Sequence, residues 1–167
     1  MKMAIFIYDQ PLISMNPLLK KLNYKDQPRM LVLNAPKSFQ SVLSDLSTET
    51  NLFIKLENQK AFDFVLAFVR HQEEINHLAP LFNAVLPGDG LLWFAYPKAS
   101  SKKYRCNFNR DTGWTILGSF GFEPVRQVAI DEDWSALRFR RVEHIKKMNR
   151  QQDMAISKEG KKKTKGA

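Results

Sequence analysis

Apolar residues fall into short runs divided by polar segments, and the spacing within each run predicts its element. Met30-Leu31-Val32-Leu33 is a compact apolar run that predicts a buried strand over 29–34. Asn51 to Glu57 reads as a second strand, and Phe62 to Val69 as a third. The third is almost wholly apolar after Asp63, as expected of a strand covered on both faces. Further strands are predicted over 91–97, 124–131 and 135–142. Between them the period changes to that of a helix. Asn16 can cap a short helix with Pro17 in its first turn, and Pro36 opens one that carries Phe39, Val42, Leu43 and Leu46 on one face. Ile75, Leu78, Ala79, Phe82, Val85 and Leu86 define a third helix, which Pro80 should kink or divide. A fourth is expected near 111–120, closed by Gly121.

Strands alternating with helices imply right-handed crossovers and a mostly parallel sheet. The short linker Asp131-Glu132-Asp133-Trp134-Ser135 makes the last two strands an antiparallel pair. The expected core includes Leu31, Leu33, Phe64, Leu66, Phe68, Leu92, Phe94, Leu137 and Phe139. The chain divides into an N-terminal extension (1–15), an α/β domain (16–142) and a basic tail (143–167).

Charge sharpens that division. The net charge is +9, and the stretch from His144 onward, with eight Lys/Arg against two acids, supplies two thirds of it. The basic balance is therefore mainly a property of the tail, whose Lys158 to Ala167 end is expected to be disordered. The single cysteine, Cys106, excludes an intrachain disulfide and a cysteine-rich zinc site, and points to a reducing, cytoplasmic compartment. No apolar stretch is long enough to span a membrane, and the Met1 to Tyr8 run is too short for a signal peptide.

Several passages carry a resemblance. Leu86-Pro87-Gly88-Asp89-Gly90-Leu91-Leu92 between a helix and a strand, and Gly121-Phe122-Glu123-Pro124-Val125 at the next such junction, resemble the second half of class I methyltransferase folds. The final hairpin matches the end of that fold. The resemblance implies a three-layer, Rossmann-like, methyltransferase-like α/β sheet, mostly parallel, with a C-terminal antiparallel hairpin and strand order 2-1-3-4-6-5. Four further pieces are Asn16 to Leu22, Met30 to Pro36, Ala95-Tyr96-Pro97-Lys98 and Ile130 to Arg140. Through them the chain is similar to a bacterial family forming a domain of unknown function. That family implies the fold and assigns no catalytic residue or cofactor. One departure from the methyltransferase pattern falls after the first strand. A glycine-rich turn normally lets the backbone approach the cofactor there. This chain has Asn34-Ala35-Pro36-Lys37, and its first glycine is Gly88. The usual S-adenosylmethionine pose is therefore not expected, and no cofactor is predicted.

Open α/β sheets bind ligands at the carboxyl ends of their strands. That edge would present Asn34, Lys37, Glu57, Arg70 and Lys98 as candidate ligand-binding residues. Glu57 follows Asn34 at about the distance of a ribose-binding acid, or is a solvated strand end. Arg70 and Lys98 could hold an anion. Trp134 is a stacking face or a packing residue. His71 starts a helix, and neither it nor Cys106 has a partner for acid–base or nucleophilic chemistry, so no catalytic residue and no metal ligand is assigned. The main expectation is a binding or interaction module without catalysis, taking a protein partner or a small anionic ligand. The alternatives are a degenerate methyltransferase-like enzyme with an atypical cofactor mode, and a nucleic-acid-associated protein with weak, non-specific contacts through its tail.

Overall fold

A computed structural model describes residues 16–57, 60–146 and 155–165. The expected extension over 1–15 lies outside the described residues. The elements run α1 (Pro17–Lys21), β1 (Arg29–Leu33), a 3-10 turn (Lys37–Phe39), α2 (Gln40–Glu49), β2 (Asn51–Phe53), β3 (Phe64–Phe68), α3 (Gln72–Val85), β4 (Leu91–Pro97), α4 (Thr115–Ser119), β5 (Phe122–Ala129), β6 (Trp134–Arg141), a 3-10 turn (Val142–His144) and α5 (Lys158–Lys165).

Six strands form one sheet in the order β2-β1-β3-β4-β6-β5, as the methyltransferase resemblance implies. β1 pairs in parallel with β2 and β3, and β3 with β4. β6 runs antiparallel between β4 and β5. The chain is thus a mixed α/β, Rossmann-like sheet with a terminal antiparallel hairpin.

Alternation along each strand feeds two cores. From β3, Val65 and Ala67 face α3 and α4, while Phe64, Leu66 and Phe68 face α1 and α2. All nine expected core residues are buried. Trp93 adds a polar tie, donating its indole N–H to the Leu22 carbonyl at 3.0 Å behind α1.

Three elements depart most from the sequence reading. β2 stops at Phe53 because it is an edge strand, held only through Asn51, Leu52 and Phe53 against β1; Ile54 beyond it is 60% exposed. α3 remains a single helix, with Pro80 on its exposed side. α4 begins only at Thr115, because Asn109 draws the preceding residues into a turn. Its side-chain oxygen accepts from the N–H groups of Asp111 and Thr112 at 2.8 and 3.1 Å.

The tail expectation also needs correction. Residues 158–165 form a helix, and its base is docked on β5. Glu123, fully buried, accepts through Oε1 from Ile156 N–H (2.7 Å), Ser157 N–H (2.8 Å) and the Ser157 hydroxyl (2.9 Å). Ser157 Oγ accepts in turn from Gly160 N–H at 2.8 Å. A Cβ on Gly118 would collide with the Ile156 backbone, and one on Gly160 with Glu123 itself. Ala155 packs with Val142 and Ile145, and Lys163 donates to the Val142 carbonyl at 3.2 Å. Composition alone misses this docking, which depends on one buried acid and two close backbone approaches more than on apolar area.

Candidate functional site

The sheet order places β1 between β2 and β3, so the crevice at their carboxyl ends is the topological switch point where such folds bind ligands. β1 ends at Asn34 with φ 58°, the left-handed conformation that a glycine usually supplies. Asparagine tolerates it, so the chain turns here without glycine. Aromatic side chains from three elements then fill the crevice. Phe39 packs edge-on against Phe68 at the end of β3, with ring centroids 5.0 Å apart. Phe68 packs against Trp134 at 5.1 Å, and Trp134 against Tyr104 at 5.1 Å. Small Ala95 on the intervening β4 and Ala136 on β6 share this core and leave room for the rings. Ser38 donates to Asp131 Oδ2 at 3.1 Å, tying the turn after β1 to the β5–β6 turn.

These residues do not fit an S-adenosyl compound in the usual pose over β1. Phe39, Phe68 and Trp134 are each at most 3% exposed and occupy the crevice. Ala35 packs against the same core, and Pro36 has no N–H to offer. β2 ends without an acid; Glu57 lies four residues further on, exposed and 3.2 Å from Lys60.

The open space lies further along the edge, on the α3–α4 side. A cleft of about 610 Å³ opens where β4 ends, between the loop after Pro97 and the β5–β6 hairpin. Tyr96, Phe108 and Gln127 line it together with Lys98, Arg105 and Arg110. Gln127 Nε2 donates to the Tyr96 hydroxyl at 2.8 Å. Burial pushes the Tyr96 phenol above its usual range, so it stays protonated at neutral pH and can donate a hydrogen bond. Tyr104, also on the wall, is held between Trp134 and the Arg70 guanidinium, 5.4 Å from its ring centroid.

Of the residues expected from sequence, Lys98 alone lines this cleft. Asn34 and Lys37 lie exposed beyond β1, and Arg70 stands behind the wall on Tyr104. Trp134 is a packing residue. His71 caps α3; Glu74 Oε1 accepts from the backbone N–H groups of Arg70 and His71, both at 3.1 Å. The Cys106 thiol donates to the Phe108 carbonyl at 2.9 Å. Tyr96, at the same strand end as Lys98, belongs to the edge that the sequence pointed to. Sequence reasoning missed Arg105, Arg110 and Gln127. The first two lie in a loop recognisable as basic, whereas Gln127 joins them only through the hairpin. Among the described residues no group of His, Cys, Asp and Glu could hold a metal ion, and no helix is long and apolar enough to cross a membrane.

No family model matches the sequence, and no curated protein is detectably similar. Solved structures do match. The N-methyltransferase NodS from Bradyrhizobium japonicum WM9 is 14% identical over 75% of this chain and 92% of that one, with a TM-score of 0.49. A SAM-dependent methyltransferase from Aquifex aeolicus is 13% identical over 74% and 87%, with a TM-score of 0.49. Fibrillarin from Aeropyrum pernix, with natively bound S-adenosyl-L-methionine, is 15% identical over 67% and 66%, with a TM-score of 0.44. The likeness speaks to the fold. Against the expectations of a module without catalysis and of no cofactor, these neighbours comprise an N-methyltransferase, a SAM-dependent methyltransferase and a protein with natively bound S-adenosyl-L-methionine.

Proposed function

We propose that this chain is a methyltransferase-like enzyme of a reducing cytoplasm that takes an S-adenosyl compound in an atypical mode, in the cleft at the end of β4. The observation that carries the reading is the position of that cleft. It opens at the carboxyl edge of a sheet with methyltransferase strand order, while the usual crevice beside β1 is filled by Phe39, Phe68 and Trp134. Its volume, about 610 Å³, suits a nucleoside-sized ligand. Tyr96 and Phe108 offer apolar surface for a ring, and the Gln127 amide and Tyr96 hydroxyl offer polar contacts. The half-buried thiol of Cys106 accords with a reducing compartment.

The test is calorimetric titration of the full chain with S-adenosylmethionine and S-adenosylhomocysteine. One-to-one binding is expected, weakened by Gln127→Ala and unaffected by Lys37→Ala. Absence of binding by either compound to the folded chain overturns the proposal. Binding that depends on Lys37 and ignores Gln127 returns the cofactor to β1 and overturns the atypical mode.

A further inference from the structure

We infer that the cleft at the end of β4 is an anion site for a phosphorylated ligand of nucleotide size, with Lys98 and Arg105 as its charge partners. The inference rests on the proposal above only in taking this cleft as the working one. Every charged side chain on its wall is cationic: Lys98, Arg105 and Arg110. No carboxylate among the described residues lines it. Of the nearby acids, Asp111 pairs with Arg110, accepting from its Nε at 3.4 Å, which leaves Lys98 and Arg105 as the uncompensated cations; Asp133 Oδ1 accepts from the Ser101 hydroxyl at 2.8 Å. Among the described residues neither Lys98 nor Arg105 forms an ion pair.

Uncompensated cations around a partly enclosed space repel one another and attract an anion more strongly than the same charges on open surface. The wall is also held in place. Lys98 N–H donates to the Asp133 carbonyl at 2.8 Å, and Ser101 N–H to the Lys98 carbonyl at 3.0 Å, which fixes the start of the loop against the hairpin. Ser101 Oγ accepts from Tyr104 N–H at 3.1 Å, extending the constraint toward Arg105. Behind the cations, Tyr96 and Phe108 pack on Trp114 with centroids 5.8 and 5.2 Å away, giving an aromatic floor. A phosphate at the mouth and a flat ring on the floor together match charge, shape and volume.

Calorimetry of the full chain at low salt, with AMP, adenosine and inorganic phosphate as probes, tests this. AMP should bind more tightly than adenosine or phosphate, and its affinity should fall as salt is raised. The double change Lys98→Gln and Arg105→Gln should weaken AMP by about tenfold or more, as expected when two charge-assisted contacts are lost. Lys37→Gln serves as a control for charge loss away from the cleft and should leave AMP unchanged. The inference is overturned if AMP does not bind, if adenosine binds as tightly, or if the double variant, folded by circular dichroism, binds AMP normally. AMP binding that needs Lys98 and Arg105, without S-adenosylhomocysteine binding, upholds the anion site and defeats the enzyme proposal. S-adenosylhomocysteine binding without AMP binding does the reverse.

Discussion

Glu123→Ala should release the C-terminal segment while leaving the sheet intact. Glu123 Oε1 collects three hydrogen bonds of 2.7–2.9 Å from Ile156 and Ser157. A hydrogen bond contributes about 0.5–1.5 kcal/mol, and a buried donor left without an acceptor costs about 1–3 kcal/mol. Simple addition would exceed what the variant can lose, because the segment can detach and let water satisfy its amides. Once detached, Lys158–Lys165 is eight residues long and contains Gly160, too short and too poor a helix former to hold its shape. We therefore expect the free energy of local opening to fall by about 2–4 kcal/mol, or roughly 30- to 700-fold in exchange rate at 1.4 kcal/mol per decade. Native-state hydrogen exchange reads this at the amides of Ile156, Ser157, Gly160 and Lys161, with tryptic cleavage among the lysines of α5 as a second measure. Glu123→Gln should fall in between, since it keeps an acceptor oxygen but puts an amide where Oε2 is buried without a partner. Unchanged exchange and cleavage in Glu123→Ala would refute the docking argument.

Gly118→Ala should produce the same release from the opposite side, because its Cβ meets the Ile156 backbone; exchange protection at Ile156 and Ser157 is the measurement. Phe68→Ala removes a ring that packs on both Phe39 and Trp134 and should cost about 3–5 kcal/mol in urea unfolding. Asp89 accepts from Arg140 Nε at 2.8 Å and Nη2 at 2.6 Å, and this hydrogen bonding holds its carboxyl below the usual range. A depressed folded-state value means the contribution is present above the unfolded carboxylate pKa of about 3.9 and is lost as pH falls through the folded value. The stability gap between the parent and Asp89→Asn should therefore narrow on acidification below that point; because the pair is about a third exposed, the gap is expected to be small.

The docked tail changes the expectation for truncation. A solvated run of lysines could be removed without consequence. Removing residues 155–167 instead uncovers Glu123 on β5 and the patch formed by Val142 and Ile145. The truncated chain should melt at a lower temperature, and an unchanged melting temperature would show that α5 contributes nothing to the body.

Sequence by itself determined the layers of this fold. The unbroken apolar run of β3 marked a strand buried on both faces, and the helical period from Ile75 to Val85 marked its crossover partner. Such signals are legible because burial is imposed residue by residue along the element. The same holds for Lys98, placed at the sheet edge by the strand before it. Only the tertiary structure decided what depends on residues distant in sequence. Asn34 takes a left-handed turn usually given to glycine, and Phe39, Phe68 and Trp134 close the crevice from three separate elements. Gln127 meets Tyr96 across 31 positions, and Glu123 meets Ser157 across 34. Composition marked the tail as unable to order itself through apolar burial, which overlooks a buried side chain that supplies hydrogen bonds from elsewhere in the chain. Local periodicity reports which face of an element is buried; it does not report which side chains converge once that face has been covered.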